Sequence, residues 1–264
     1  MEINYNEINR RLWNDKTDVH FKSAFYNVDA FLAGESTLNP IELELLGDVK
    51  NKSLLHLQCH FGMDTISLSR LGANAVGVDI SDHAIQKAEE LAVQSKSNAK
   101  FIQSEIYKLE ENLNSEFDIV FTSYGAIGWL PDMFEWARIV KRFLKSDGIF
   151  VMVEFHPVLD MFSEDFSRIE YAYFNLGAII EEIQGTYADR NAPIRNKSVS
   201  WTHPLSEVIG ALIKNGLTID EFEEHDYSPY DCFEKTVEIG DHKYQIPGLE
   251  KKIPMLYSIR ARRS

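Results

Sequence analysis

Between residues 53 and 156 short apolar runs alternate with amphipathic stretches. The runs are SLLHLQ (53–58), AVGVD (75–79), KFIQS (100–104), FDIVFTS (117–123) and IFVMVE (149–154). They are too continuous for strands with one wetted face, and they fit strands buried on both sides. In 82–96, Ala84, Ile85, Ala88, Leu91 and Ala92 recur at helical spacing, with Ser81 placed to cap the first turn. In 132–145, Met133, Trp136, Ala137, Val140, Phe143 and Leu144 do the same. Five strand–helix units in about 100 residues predict an α/β fold with a doubly wound, mostly parallel sheet.

The flanks read differently. Residues 1–52 are polar with scattered aromatics (Trp13, Phe21, Phe25, Tyr26, Phe31) and predict helical pieces ending near Asn39-Pro40. After Pro157 the rhythm breaks, and AIIEEIQGTY (178–187) and SVSWTH (198–203) predict an inserted hairpin over the edge or mouth of the sheet. A helix over 203–216, stopped by Gly216, precedes two more strands at 217–225 and 255–263. Residues 226–254, punctuated by Pro229, Gly240, Pro247, Gly248 and Pro254, predict a loop or lid. We expect one domain over 1–264. It divides into an N-terminal helical cap (1–52), a core (53–156), an inserted region (157–203) and a C-terminal helix, strands and lid (204–264).

The formal charge of −14 repels phosphate backbones and argues against a general nucleic-acid binder. No run of about 18 apolar residues is present, so no membrane-spanning helix is expected, and MEINYNEINRRLW does not read as a signal peptide. Cys59 and Cys232 make neither a disulfide framework nor a four-cysteine metal site, which suits a reducing cytosol. The eight histidines show no ligand-like pairing, and phosphate-loop, zinc-helix and nucleophile-elbow motifs are missing, so no metal is expected.

Ligands of open α/β sheets sit at the carboxyl ends of the strands, near the switch in strand order. The first such turn, LLHLQCHFGMDTISLSRLG (54–72), has Gln58 and His60 at two glycine-like positions and keeps Gly62, where a backbone can approach a ligand. The helix starting near Asp64 offers free N–H groups; a tight turn without a ligand is the alternative. Asp79 ends the next strand, 17 residues after Gly62 (79 − 62), where a carboxylate can accept both hydroxyls of a ribose. An N-cap is the alternative, although Ser81 is the better cap. Glu105 follows the third strand and can accept from an adenine amine while Ile106 packs on the ring; a solvated acid is the plain alternative.

LLHLQCHFGMDT, AVGVDIS, FIQSEIY and FDIVFTSYGAIGWLPD resemble motifs I to IV of the class I S-adenosylmethionine-dependent methyltransferases. The HLQCHFGxDT form is similar to one bacterial subgroup of small-molecule type. The resemblance covers roughly 53–156. It departs where His56 stands at the usual motif I acid and Gln58 and His60 at the glycines. It implies that Gln58, Cys59, His60 and Gly62 line the methionine part of the cofactor, and that Asp79 and Ile80 hold ribose and adenine. It further implies that Ser104, Glu105 and Ile106 surround the base, and that Ser123 and Tyr124 face the methyl sulfonium. With the motif I acid replaced, a backbone carbonyl or Gln58 would meet the amino group. The family's sixth strand and antiparallel seventh strand match LTIDEFEEH and MLYSIRARR.

Methyl transfer from an already activated sulfonium needs mainly alignment of nucleophile and methyl, worth about 7–11 kcal/mol in favourable cases. A base matters only where the acceptor loses a proton early. Glu154 and His156 in VEFHP are the candidates, with Tyr124, and His203 in WTHPL is a further one. Tyr124, Trp129, Tyr187 and Trp201 are available for cation–π contact, and Trp13, Phe21 and Tyr26 for a lid; plain packing is the alternative for all of them. The expected activity is methyl transfer from S-adenosylmethionine to a small-molecule partner. A nicotinamide-dependent oxidoreductase would want a fuller glycine turn, and the chain has no Tyr-x-x-x-Lys pair. A non-catalytic cofactor-binding protein is the other alternative.

Overall fold

The computed structural model describes residues 4–263. Three helices precede the sheet: α1 (Tyr5–Lys22), α2 (Val28–Leu32) and α3 (Pro40–Leu46). Asn39-Pro40 therefore opens a helix, where the sequence pattern predicts the end of one. Proline at the first helical position loses an N–H that has no intrahelical partner, and Glu42 Oε1 accepts from Asn39 N at 2.6 Å.

The alternating region follows as β1 (Ser53–Leu57), α4 (Met63–Arg70), β2 (Asn74–Asp79), α5 (Asp82–Gln94), β3 (Lys100–Gln103), α6 (Leu109–Asn112), β4 (Phe117–Thr122), α7 (Met133–Phe143) and β5 (Leu144–Phe155). Ser81 caps α5 as expected, accepting from Ala84 N at 3.0 Å. The insertion folds into an antiparallel hairpin, β6 (Ile179–Gln184) with β7 (Arg195–Ser200), paired from Ile179↔Ser200 to Gln184↔Arg195. Then come α8 (Leu205–Lys214), β8 (Leu217–His225), β9 (Val237–Gly240), β10 (Lys243–Gln245) and β11 (Leu256–Arg263). Asn215 caps α8, with Gly216 just beyond it at φ +81. The stretch read as a loop or lid carries a short hairpin, β9–β10.

Seven strands form one sheet in the order β3-β2-β1-β4-β5-β11-β8. β1 is parallel to β2 and β4, whereas β11 runs antiparallel to β5 and β8. Successive strand residues feed opposite faces: Leu55, Val120 and Met152 join one buried cluster with Trp136, Phe143 and Val208, while Leu54, Ile119 and Val151 join another with Leu45 and Leu68. Burial on both faces is why these strands read as unbroken apolar runs. Among the described residues no helix is long and apolar enough to cross a membrane.

Candidate active site

The strand order reverses between β1 and β4, and the carboxyl ends of β1, β2, β4 and β5 meet there. Gln58 (φ 56), His60 (φ 50) and Gly62 (φ 77) all take the left-handed conformation. The turn thus keeps the backbone that glycines normally supply, at a cost of about 1–2 kcal/mol for each side chain forced into it. Contacts hold it in place. Gln58 Nε2 donates to the Ala126 carbonyl at 2.7 Å, and His60 N donates to Asp79 Oδ2 at 2.8 Å. Gly62 is needed for packing: a Cβ there would lie 2.4 Å from Cε1 of Phe101 and 2.9 Å from Ala88 Cβ. The close approach at Gly62 is therefore made by protein. Cys59 is buried, its N donating to Val78 O at 2.9 Å.

Asp79 is 8% exposed and accepts from both His60 N and, at 2.9 Å, Ser81 N. Burial raises its carboxyl to about 6. It accepts from the Ile80 amide as well, which leaves lone-pair capacity on the carboxylate for a ligand hydroxyl. At the end of β3 Ser104 N donates to Asp79 O at 2.9 Å, and Gln103 Nε2 holds the Ile80 carbonyl at 3.1 Å. Glu105 lies 3.2 Å from Lys108 Nζ and caps a short 3-10 turn starting at Ile106, whose side chain belongs to the core cluster under α7.

Helix α1 closes this crevice. Asn14 Nδ2 donates to Asp82 Oδ1 at 2.9 Å, Ser81 Oγ donates to Asn14 Oδ1 at 2.6 Å, and Arg10 pairs with Asp82 at 2.6 Å. On its other side Asn9 bonds both backbone groups of Val199 in β7. The Trp13 ring then meets His60 edge-on at 5.2 Å and Trp129 at 5.3 Å. His20 Nδ1 lies 2.9 Å from His60 Nε2, and burial keeps both rings neutral. Trp13 and Tyr26, read from the sequence as a lid or as plain packing, pack against neighbouring rings; Tyr26 bonds Tyr187 hydroxyl to hydroxyl at 2.5 Å. Phe21 packs edge-on against Phe61 at 5.7 Å.

Among the described residues three buried polar atoms around the turn have no hydrogen-bond partner: His20 Nε2, Gln58 Oε1 and His60 Nδ1. A neutral imidazole has one N–H and one lone pair. With one proton between the facing nitrogens, the His20–His60 pair must leave one donor and one acceptor orphaned, whichever tautomer is present. Together with Gln58 Oε1, this set fits a ligand that carries an ammonium and a carboxylate, as the amino-acid end of S-adenosylmethionine does.

At the end of β4, Ser123 Oγ lies 2.9 Å from His56 Nε2, and His56 Nδ1 lies 2.9 Å from Thr65 Oγ1. His56 is buried and neutral, its imidazole lowered to about 3, so in place of an acid it ties β1, α4 and β4 together. Tyr124 donates to Glu42 Oε2 at 2.6 Å and meets the Tyr230 ring edge-on at 5.0 Å. Burial raises Glu42 to about 7 and Asp64, which accepts from Thr37 Oγ1 at 2.5 Å, to about 6.

Glu154 is committed to the backbone. Its carboxylate accepts from the amides of Gly125, Ala126 (2.8 Å), Ile127 (3.1 Å) and Phe155 (2.7 Å) and so fixes the turn after β4. His156 sits 2.9 Å from Glu224 at the β11–β8 side, with its Nδ1 accepting from Val158 N at 3.1 Å. His203 bridges Glu207 and the Leu130 carbonyl, and Trp201 packs against Tyr5 at 5.3 Å. Glu154, His156, His203 and Trp201 thus make these contacts within the protein itself. Among the described residues no cluster of His, Cys, Asp or Glu suits a metal ion.

Sequence reading missed Asn14, Lys16, His20, Glu42 and Tyr230. One signal was present: α1 buries Asn9, Asn14, Lys16, Thr17 and His20, an unusually polar face for a packed helix.

The chain is 32% identical over 129 residues to an uncharacterized methyltransferase of Synechocystis sp., a match covering 47% of this chain and 57% of that relative's length. An S-adenosylmethionine-dependent methyltransferase of Mesorhizobium loti superposes with a TM-score of 0.58 at 19% identity, covering 88% of this chain and all of the other. One from Clostridium acetobutylicum superposes with a TM-score of 0.59 at 13% identity, covering 96% and 99%. At these identities the structural likeness is one of fold. The methyltransferase domain family matches residues 48–198, more than half of the sequence, and the chain belongs to that family.

Proposed function

We propose that the chain transfers a methyl group from S-adenosylmethionine to a small-molecule acceptor, and that it belongs to the HLQCHFG-type subgroup. The observation that carries this reading is Asp79, an enclosed carboxylate at the end of β2, beside three unpartnered polar atoms. In this reading Asp79 takes the ribose hydroxyls, Ile80, Ser104 and Glu105 border the base, and Gln58, His60 and His20 meet the amino-acid end. Cys59, Gly62 and Ile106 support the turn and the base site from within the protein. The cofactor supplies an activated methyl group on a sulfonium. The protein contributes alignment and exclusion of water. Glu154 positions the turn beside Ser123, and α1 seals the crevice.

Where the acceptor carries a removable proton, Tyr124 with Glu42 suits the task better than His156. Tyr124 stands at the end of β4, and its hydroxyl already bonds to a carboxyl group poised near neutrality. Isothermal titration with S-adenosylmethionine and S-adenosylhomocysteine tests the reading; a folded sample that gives no heat with either refutes it. The antiparallel β11 and the family membership leave the oxidoreductase alternative without support. We place the protein's work in the reducing cytosol, as its two unpaired cysteines suit.

A further inference from the structure

A cavity of about 430 Å³ opens between the β6–β7 hairpin, residues 159–166 and residues 232–234 of the lid. Leu159, Phe162, Phe166, Ile183 and Phe233 give it apolar walls. Two cations reach it. Arg190 is already paired, with Glu164 at 3.2 Å and the Cys232 carbonyl at 3.4 Å. Lys16 is not: it is 5% exposed, and among the described residues it has neither an ion pair nor a hydrogen bond. Its ammonium instead lies 4.9 Å from the Trp13 ring, 5.4 Å from Trp129 and 5.9 Å from Tyr187.

A nearly buried ammonium whose recorded protein contacts are ring faces is an expensive arrangement, because cation–π contacts replace only part of its hydration. Burial lowers Lys16 to about 8, so at neutral pH it is still mostly charged. Among the cavity's acids, Glu164 pairs with Arg190, burial pushes the Asp160 carboxyl up to about 7, and no ion pair joins Lys16 to Asp160 or Glu234 among the described residues. A buried cation without an ion pair, lining a cavity that sets apolar walls beside polar groups, calls for an anion from outside the protein.

We propose that this cavity receives the methyl acceptor as an organic anion with an apolar body, whose carboxylate meets Lys16 Nζ. The proposal rests on the methyltransferase reading for the word acceptor, while the anion site itself stands on the cavity and Lys16. It overrides what the acidic composition suggests, since the net charge of −14 would favour a neutral or cationic acceptor.

Phenylacetate and its uncharged counterpart phenylacetamide are the probes, followed at pH 7 by quenching of tryptophan fluorescence. Wild type, Lys16→Met and Lys16→Arg are compared, and their affinity for S-adenosylhomocysteine is measured separately by calorimetry. We expect wild type to prefer the carboxylate at least tenfold, Lys16→Met to lose that preference and Lys16→Arg to keep part of it. S-adenosylhomocysteine affinity should stay within twofold in all three. Equal binding of the two probes by wild type overturns the proposal, as does a preference that survives in Lys16→Met. A tenfold loss of S-adenosylhomocysteine affinity in Lys16→Met, without probe discrimination, gives the lysine to the cofactor's carboxylate and also overturns it. A wild-type chain that discriminates the probes yet binds no S-adenosylhomocysteine refutes the methyltransferase reading and supports the anion site. Thermal melting of each variant verifies that it is folded.

Discussion

Tyr124 donates its hydroxyl to Glu42 Oε2 at 2.6 Å, joining the end of β4 to the first turn of α3. The Glu42 carboxyl group is fully buried, has no cationic partner among the described residues, and is raised to about 7 by desolvation. A folded-state value above the ordinary 4.5 means that the native protein binds more protons than the unfolded chain between about pH 4.5 and 7. Stability contributed at this position is therefore highest below that window and falls as pH rises through it, by an order of 2–3 kcal/mol. Glu42→Gln keeps an acceptor for Tyr124 but cannot ionise. Its melting temperature relative to wild type should rise from pH 5 to pH 8; a pH-independent difference contradicts the assignment. In turnover with a protic acceptor, Tyr124→Phe should lower kcat by 10²–10⁴ while leaving cofactor affinity unchanged.

Asp79→Ala removes a carboxylate that both organises the turn and, as proposed, receives the ribose. A charge-assisted hydrogen bond contributes about 1.5–3 kcal/mol, so S-adenosylhomocysteine affinity should fall tenfold or more. The variant also strands the amides of His60 and Ser81, so a lower melting temperature accompanies the loss. Calorimetry below the transition separates the two effects. Undiminished affinity in folded Asp79→Ala would remove the ribose role.

The sheet was legible because its strands are buried on both faces and its helices on one, and each leaves a distinct period in the sequence. The order Gly62, Asp79, Glu105 was legible because chain position along a doubly wound sheet fixes where strand ends fall. Side-chain commitments were not. Glu154 reads like a base in VEFHP, yet its oxygens are engaged by four backbone amides that no local pattern announces. Asn39-Pro40 reads as a break, whereas Glu42 three residues on makes it a helix start. The polar buried face of α1 leaves no apolar period in the sequence, because Asn14 and His20 are held by hydrogen bonds instead.

Gly62→Ala distinguishes packing from ligand approach. The new methyl would collide with Phe101 and Ala88, and φ +77 is itself unfavourable for a side chain. A destabilisation of about 1–3 kcal/mol is expected from the backbone conformation alone, with the collision adding to it. Denaturant titration should show the loss, while S-adenosylhomocysteine affinity of the folded fraction changes less than threefold. Large loss of affinity with intact stability would mean that a ligand, not Phe101, needs the space.

Closure by α1 implies that cofactor exchange waits on its release. The Arg10–Asp82 pair is partly exposed and contributes about 0.2–1 kcal/mol, and Asn14 adds a further bond to the same carboxylate. Asp82→Ala should loosen the helix, speed S-adenosylhomocysteine association severalfold, and raise amide exchange in 5–22 but not in the sheet. Stopped-flow fluorescence and hydrogen exchange measure both. Unchanged association together with faster exchange would show that α1 does not gate entry.

Lys16→Met carries a stability signature that an ordinary packing lysine would not. The native ammonium is lowered from 10.5 to about 8, so burial of the charge costs on the order of 3 kcal/mol at neutral pH, where both states are protonated. Between about pH 8 and 10.5 the unfolded chain binds the extra proton, so wild-type stability at this position rises with pH and the penalty disappears. Methionine has similar length, fits among Trp13, Trp129 and Tyr187, and carries no charge. Lys16→Met should therefore melt above wild type at pH 7, and the gap should close by pH 10. A variant less stable than wild type at pH 7 would mean that the ammonium is satisfied within the protein, which would leave the cavity without its reason to hold an anion.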